Sequence, residues 1–127
     1  MMHIYSFEKL EVWQLGRDLN KRIYKLSQQL PSDEKFGAMA QIRRASLSVT
    51  CNLAEGSGRR SGKDQARFSE IAYSSLMEVL NLLILFVDLE FLKQAELEAT
   101  RPLIENISRK ISALQSAQLK RYQEQTP

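Results

Sequence analysis

The longest helical pattern in the chain lies in residues 62–90, which read GKDQARFSEIAYSSLMEVLNLLILFVDLE. Apolar residues recur there at intervals of three or four, as one buried face of a helix requires; they are Phe68, Ile71, Ala72, Leu76, Val79, Leu83, Phe86 and Leu89. Just before this segment, Ser61 stands three residues ahead of Asp64, a spacing that resembles a capping box. The pattern therefore predicts a long helix over about 62–90.

Three other segments show the same periodicity on either side of it. A first helix is predicted over about 7–30, with an inward face of Val12, Leu15, Leu19, Ile23, Leu26 and Leu30. A second is predicted over about 33–55 with Ser32 as its N-cap, and its inward residues are Phe36, Met39, Ile42, Ser46, Val49 and Leu53. A fourth is predicted over about 95–121, carrying Leu97, Ile104, Ile107, Ile111, Leu114 and Leu119. Pro102 either bends this helix or precedes its start near Thr100, and we favour the bend.

The connections between these segments are short, which makes neighbouring helices antiparallel. With only five glycines and three prolines in 127 residues, composition also favours helix over sheet. We therefore predict an all-α fold, an antiparallel up-down-up-down four-helix bundle. We expect one domain over residues 1–127, with flexible ends at 1–6 and 122–127.

Composition also bears on the compartment. Cys51 is the only cysteine, so no disulfide can form within the chain, and a reduced, cytoplasmic setting is the simplest expectation. The first residues show no secretory signal. The most apolar stretch, residues 76–92, is interrupted by charged and amide residues, and its longest unbroken apolar run is only Leu82 to Val87. We therefore expect no membrane span.

Few residues could support catalysis. His3 is the only histidine, so a histidine-based triad or a histidine-rich metal site cannot be assembled within one chain. Cys51 is interpreted as a partly buried structural thiol. Residues 56–63 fail the phosphate-loop pattern, because Ser57 stands where the first glycine should be and Asp64 where the Ser or Thr should follow Lys63. We expect no enzyme activity, no cofactor and no metal.

A second stripe on the predicted helix two is polar. It consists of Gln41, Arg44, Ser48, Asn52, Glu55 and Arg59, again at intervals of three or four. It is either a solvated face or a set of hydrogen-bonding residues that contact another helix or another subunit.

Helix three carries more apolar residues than one bundle core requires. The additional ones are Met77, Leu80, Leu82, Ile84, Leu85, Val87 and Phe91. This excess predicts that the chain associates with copies of itself.

Two sequence signatures resemble a known bacterial family. The segments QIRRASLSV at 41–49, NLAEG at 52–56 and RRS at 59–61 are similar to the four-helix-bundle proteins encoded in 23S rRNA intervening sequences, also called S23-like. Further similarity lies in FEKLEVW at 7–13 and in Phe68, Ala72, Ser75, Leu76 and Glu78. The resemblance implies a ring-like homopentamer without catalytic activity, in a family related to the nucleic-acid-binding accessory proteins of diversity-generating retroelements.

Two functions follow as hypotheses. The first is a nucleic-acid-binding oligomer, because five copies of a chain with net charge +3 would carry about +15. Its candidate RNA or DNA contacts are Arg43, Arg44, Arg59, Arg60 and Lys63, with a second patch of Arg17, Lys21, Arg22 and Lys25. The alternative is a protein-interaction or scaffold oligomer with no nucleic-acid role. Structural or interface roles are predicted for Gln41, Ser48, Asn52, Glu55, Gly56 and Glu78.

Overall fold

The computed structural model describes residues 1–125, which form an all-helical bundle. Its four α-helices are α1 (Glu11–Ser27), α2 (Ala38–Ser57), α3 (Gly62–Asp88) and α4 (Gln94–Gln125). Short 3₁₀ turns at Ser6–Lys9 and Ser32–Glu34 precede α1 and α2. Successive helices pack on one another, whereas α1 touches α4 more sparsely. The predicted all-α, up-down-up-down four-helix bundle is confirmed.

One continuous core runs through the bundle. Each helix contributes fully buried side chains at helical spacing, among them Leu19, Ile23, Ile42, Val49, Leu76, Val79, Leu83, Ile104, Ile107 and Ile111. Burying a side chain of this size contributes about 1.5 to 3 kcal/mol relative to leaving it in water. The core residues are thus the main source of the fold's stability.

Two glycines allow neighbouring helices to approach closely. A Cβ atom at Gly16 would lie 2.6 Å from Cγ2 of Thr50, where α1 crosses α2. A Cβ atom at Gly56 would lie 2.7 Å from Cβ of Phe68, where α2 meets α3. Both distances are too short for carbon atoms in contact, so a larger side chain would separate the helices.

The first two helices begin later than predicted. Leu10 is extended, with φ −71° and ψ 121°, and therefore separates the turn at Ser6–Lys9 from α1. Ser32 does not cap α2, because Gly37 has non-helical backbone angles of φ −108° and ψ −103°, and α2 begins only at Ala38. The Glu34 carboxylate instead accepts a hydrogen bond of 3.2 Å from the backbone N–H of Ala38. Phe36 consequently lies outside α2 and is 90% exposed, so its predicted inward position is wrong.

The start and end of α3 show how local sequence sets helix limits. Ser61 accepts a hydrogen bond from the backbone N–H of Asp64 and is therefore the N-cap of α3, which confirms one half of the predicted capping box. At the other end Glu90 adopts a left-handed conformation with φ 64°, and the N–H of Phe91 donates to the carbonyl of Phe86. This is the hydrogen-bond pattern of a Schellman motif, which ends the helix at Asp88.

Helix α4 is continuous through Pro102, so the alternative start near Thr100 is wrong. Thr100 is buried and its hydroxyl donates to the carbonyl of Glu96. The helix continues to Gln125, so residues 122–125 are helical, contrary to the predicted flexible end. Residues 126–127 of that end lie outside the described part of the chain.

A few apolar residues face outward, contrary to prediction. Ile71, Leu89 and Leu119 are exposed, whereas Leu82, counted as an extra apolar residue, belongs to the core. Leu82 is buried because α3 packs against both α2 and α4, so the buried arc of α3 is wide.

By length and composition alone, α3 could cross a membrane. The apolar residues Leu76, Val79 and Leu83 are fully buried against the other helices, and 33% of the most apolar 18-residue stretch of α3 is buried inside the bundle.

Candidate functional site

A polar network joins α1 to α2 inside the bundle. The hydroxyl of Ser46 donates to Oδ1 of Asn20 at 2.6 Å, and Nδ2 of Asn20 donates to Oγ1 of Thr50 at 3.1 Å. Among the described residues every buried side-chain nitrogen or oxygen has a partner. Because these groups satisfy one another, we assign the network to structure.

Part of the second stripe of α2 faces α3. The hydroxyls of Ser48 and Ser75 lie 2.8 Å apart, and Nδ2 of Asn52 donates to the carbonyl and the hydroxyl of Ser48 at 2.8 and 2.9 Å. Nε2 of Gln41 donates to a Glu78 carboxylate oxygen at 3.4 Å. The Ser48–Ser75 and Gln41–Glu78 bonds link α2 to α3, whereas the two bonds donated by Asn52 lie within α2.

The other two predicted structural residues differ from each other. Gly56 is buried where α2 touches Phe68 of α3. Glu55 is exposed, and its side chain has no hydrogen-bond partner within residues 1–125. Only Gly56 of this pair therefore contributes to the packing of the two helices.

Arg43 is tied to α1. Its Nε donates to the Ser27 hydroxyl at 2.8 Å, and its guanidinium carbon lies 4.5 Å from the centroid of the Tyr24 ring. The Ser27 hydroxyl in turn donates to the Tyr24 carbonyl. A half-buried guanidinium with these partners holds α1 and α2 together, which leaves less of it for a ligand.

Arg44 is exposed and lies on the wall of a groove of about 640 Å³ beside α2. The groove brings together residues that are distant in the sequence and mostly basic, aromatic or aliphatic: Tyr24, Lys35, Phe36, Met39, Ala40, Arg43, Arg44, Leu47, Ser48 and Cys51. We call it the α2 groove. Sequence reasoning missed Lys35, Phe36 and Tyr24, because it placed Phe36 in the core of a helix starting at 33.

Cys51 also lines the α2 groove and is exposed, so the prediction of a partly buried thiol is wrong. It lies on the outer face of α2, one turn beyond Leu47, which is exposed as well. Within residues 1–125, no three His, Cys, Asp or Glu side chains are grouped to hold a metal ion.

The other three basic candidates form a separate cluster at one end of the bundle, where α2 ends and α3 begins. Arg59, Arg60 and Lys63 are all exposed, and the Arg59 guanidinium lies 4.6 Å from the Phe68 ring centroid. Arg44 and Arg59 are 15 positions apart, which is about 22 Å along a helix. We call these three residues the loop cluster; they do not form one patch with Arg44.

The basic residues of α1 are less available than predicted. Nε of Arg22 donates to the Thr100 hydroxyl at 3.0 Å, and the Arg17 guanidinium lies over the Trp13 ring. Lys21 and Lys25 border a second groove, of about 610 Å³, between α1 and α4.

That second groove also contains two carboxylates. They belong to Asp18 and Glu96, the latter bound by Nε2 of Gln29 at 2.6 Å. The N–H of Lys93 and the Gln29 side chain donate to Glu96 and lower its pKa below the ordinary glutamate value. The carboxylates of Asp18 and Glu96 make this groove less suited to phosphate than the α2 groove, whose lining contains no carboxylate.

Comparison with known proteins gives a family match and a structural match. A profile of the family described as 23S rRNA-intervening sequence protein matches residues 8–113. A crystal structure from Bacteroides thetaiotaomicron, of a protein with unknown function from the S23 ribosomal protein family, is similar with a TM-score of 0.62 and 20% sequence identity. The match covers 87% of this chain and 97% of that one. Comparison with curated proteins gives no match.

Proposed function

This chain belongs to the 23S rRNA-intervening sequence protein family, and we propose that it is a non-catalytic, homo-oligomeric bundle protein that binds RNA or DNA through exposed basic side chains. We place it in the cytoplasm, in keeping with its single cysteine. The relation to retroelement accessory proteins, which the sequence resemblance implies, stays a prediction.

The observation that carries this proposal concerns three of the five candidate cations, Arg44, Arg60 and Lys63, which lack a carboxylate partner among the described residues. In residues 1–125 one ion pair is formed, between Lys110 and Glu11 at 3.3 Å. Arg44, Arg60 and Lys63 are exposed and have no carboxylate within ion-pair distance among the described residues. Such cations can neutralise phosphates and release counterions, which is the main source of non-specific affinity for nucleic acids.

Self-association would multiply this charge. The outer side of α3 exposes Ile71, Ile84 and Leu85. Exposed apolar groups of this size favour contact with another copy over contact with water. We propose a pentamer, the number that the family resemblance implies.

A second candidate function is a scaffold oligomer that binds protein only. The observation in its favour is Arg43, a member of the first arginine pair, which ties α1 to α2 instead of facing solvent. If the other arginines make similar contacts between subunits, they are not available to bind nucleic acid.

Salt-dependent binding separates the two functions. Wild-type protein is titrated against labelled RNA and DNA oligonucleotides of about 20 nucleotides between about 50 and 200 mM salt. Arg59→Ala with Arg60→Ala should weaken binding about equally across sequences and flatten the salt slope by about 0.7 to 0.9 for each lost contact. The matched control is Arg101→Ala with Arg109→Ala, which removes the same charge from exposed positions on α4.

Light scattering on the same samples reports assembly. Five chains of 14.6 kDa would give about 73 kDa. Loss of the oligomer in the Arg59 and Arg60 double variant would make these residues interface residues. Absence of wild-type binding at about 50 mM salt would refute the nucleic-acid function and favour the scaffold.

A further inference from the structure

Phe36 is an aromatic side chain that the fold leaves in water. It lies in the short link between the 3₁₀ turn at Ser32–Glu34 and α2, and 90% of its surface is exposed. The helix does not need it, because Glu34 caps α2 and Met39 and Ile42 supply the inward contacts. Its position is instead on the wall of the α2 groove.

The charged side chains that line the α2 groove beside this ring are all positive. Lys35 places its ammonium group 5.6 Å from the Phe36 ring centroid, and Arg44 lines the same groove. The Glu34 carboxylate, two residues before Phe36, accepts a hydrogen bond from the Ala38 N–H at the α2 N-terminus, whose helix dipole further stabilises its negative charge. The α2 groove therefore attracts anions and repels cations.

Much of the remaining lining is apolar. Met39, Ala40 and Leu47 line the groove between the basic groups, and the Tyr24 ring is already covered by Arg43. A volume of about 640 Å³ falls in the range of about 300 to 1,000 Å³ found for ligand sites. A ligand that fits this groove has a planar apolar group that can stack on Phe36 and negative charges that can pair with Lys35 and Arg44.

We infer that the α2 groove binds a single-stranded segment of nucleic acid, with one base stacked on Phe36 and the flanking phosphates held by Lys35 and Arg44. This inference rests on the proposed nucleic-acid function and names the strand form that this groove selects. In a duplex the bases are stacked on one another and their faces are not free for an exposed ring, whereas a single strand presents every base face. The loop cluster has no exposed aromatic residue and should not distinguish the two forms.

Two substitutions at position 36 test the stacking directly. A labelled oligo(U) and a mixed-sequence duplex, each of about 20 nucleotides or base pairs, are titrated with wild-type protein, Phe36→Leu and Phe36→Tyr. Leucine keeps the apolar surface but removes the aromatic face, so oligo(U) binding should fall about tenfold. Tyrosine should retain binding within about twofold, and duplex binding should be unchanged in both variants.

A change in charge gives a second readout. Arg44→Ala should weaken oligo(U) binding and lower its salt slope by about 0.7, the value for a phosphate contact on a single strand. Arg101→Ala, at an exposed position on α4, is the control. Circular dichroism and light scattering confirm that each variant keeps its helices and its assembly.

Each result has a defined meaning. Equal binding of wild type and Phe36→Leu to oligo(U), with the Arg59 and Arg60 double variant weakened, would overturn this inference and keep the proposed function. Loss of the oligomer in Phe36→Leu would show that a second copy occupies the groove, and would also overturn it. Failure of wild-type protein to bind either probe would refute the inference together with the proposed function.

Discussion

Gly56→Ala tests the close packing of α2 against α3, with Gly58→Ala as its matched control. Both glycines lie at the C-terminal end of α2, in helical or near-helical backbone. A Cβ atom at position 56 would meet Cβ of Phe68 at 2.7 Å and the carbonyl oxygen of Gln65 at 3.5 Å. A Cβ atom at position 58 meets only the carbonyl of Glu55, at an ordinary 3.6 Å.

The two substitutions should have opposite effects on stability. Replacing glycine by alanine within a helix favours folding by about 1 kcal/mol through backbone entropy, and at position 58, where φ is −87°, we expect a gain of about 0.4 to 1 kcal/mol. At position 56 the new methyl group meets the root of the Phe68 side chain, which cannot rotate away. Overpacking of this kind costs about 1 to 3 kcal/mol, so the net effect should be destabilisation by about 1 kcal/mol.

Thermal and urea denaturation at one protein concentration measure both effects, and a fixed concentration matters because assembly contributes to stability. A change of about 1 kcal/mol should shift Tm by roughly 3 to 6 °C in a domain of this size. If Gly56→Ala raised Tm as much as Gly58→Ala, the close approach of α2 to α3 would be refuted.

Two other predictions concern the helix ends. Glu90→Gly should stabilise the protein by about 0.5 to 1 kcal/mol, because the residue holds φ 64° in the motif that links back to Phe86 and only glycine adopts this conformation without strain; an unchanged Tm would contradict it. The lowered pKa of Glu96, caused by the Lys93 N–H and the Gln29 side chain, stabilises the fold above the ordinary carboxylate pKa of about 4.3. That stability is lost as pH falls through the folded-state pKa, so Glu96→Gln should differ most from wild type near neutral pH and least in acid; denaturation curves between about pH 3 and pH 7 check this.

Sequence periodicity predicted the four helices because each buries one face, and the buried positions of α1 and α4 follow the spacing closely. It misplaced Phe36 because an aromatic residue three positions before Met39 fits the same spacing. The hydrophobic pattern does not reveal that α2 starts only after Gly37, because this start depends on the backbone angles of Gly37 and on the hydrogen bond from Ala38 to Glu34. For this reason the sequence did not predict that Phe36 lines the α2 groove.

The basic candidates illustrate a different limit. Charge and spacing identify arginines but do not show which of them have partners, because those partners come from other helices. Ser27 and Tyr24, which hold Arg43, lie 16 and 19 residues away in the sequence. The pairing of Ser48 with Ser75 is likewise decided by the crossing of α2 and α3.

The arginine pair at 43 and 44 shows why counting cations overstates the binding surface. Successive helical residues point about 100° apart, so Arg43 can tie α1 to α2 while its neighbour Arg44 faces solvent. Removing Arg43 from the candidate set and adding Lys35 leaves five exposed candidate cations per chain, namely Lys35, Arg44, Arg59, Arg60 and Lys63. At about 0.7 to 0.9 per phosphate contact, they limit the salt slope to roughly 3.5 to 4.5 per bound chain. A steeper slope would mean that cations outside the α2 groove and the loop cluster, such as Lys21 and Lys25, also contact the nucleic acid.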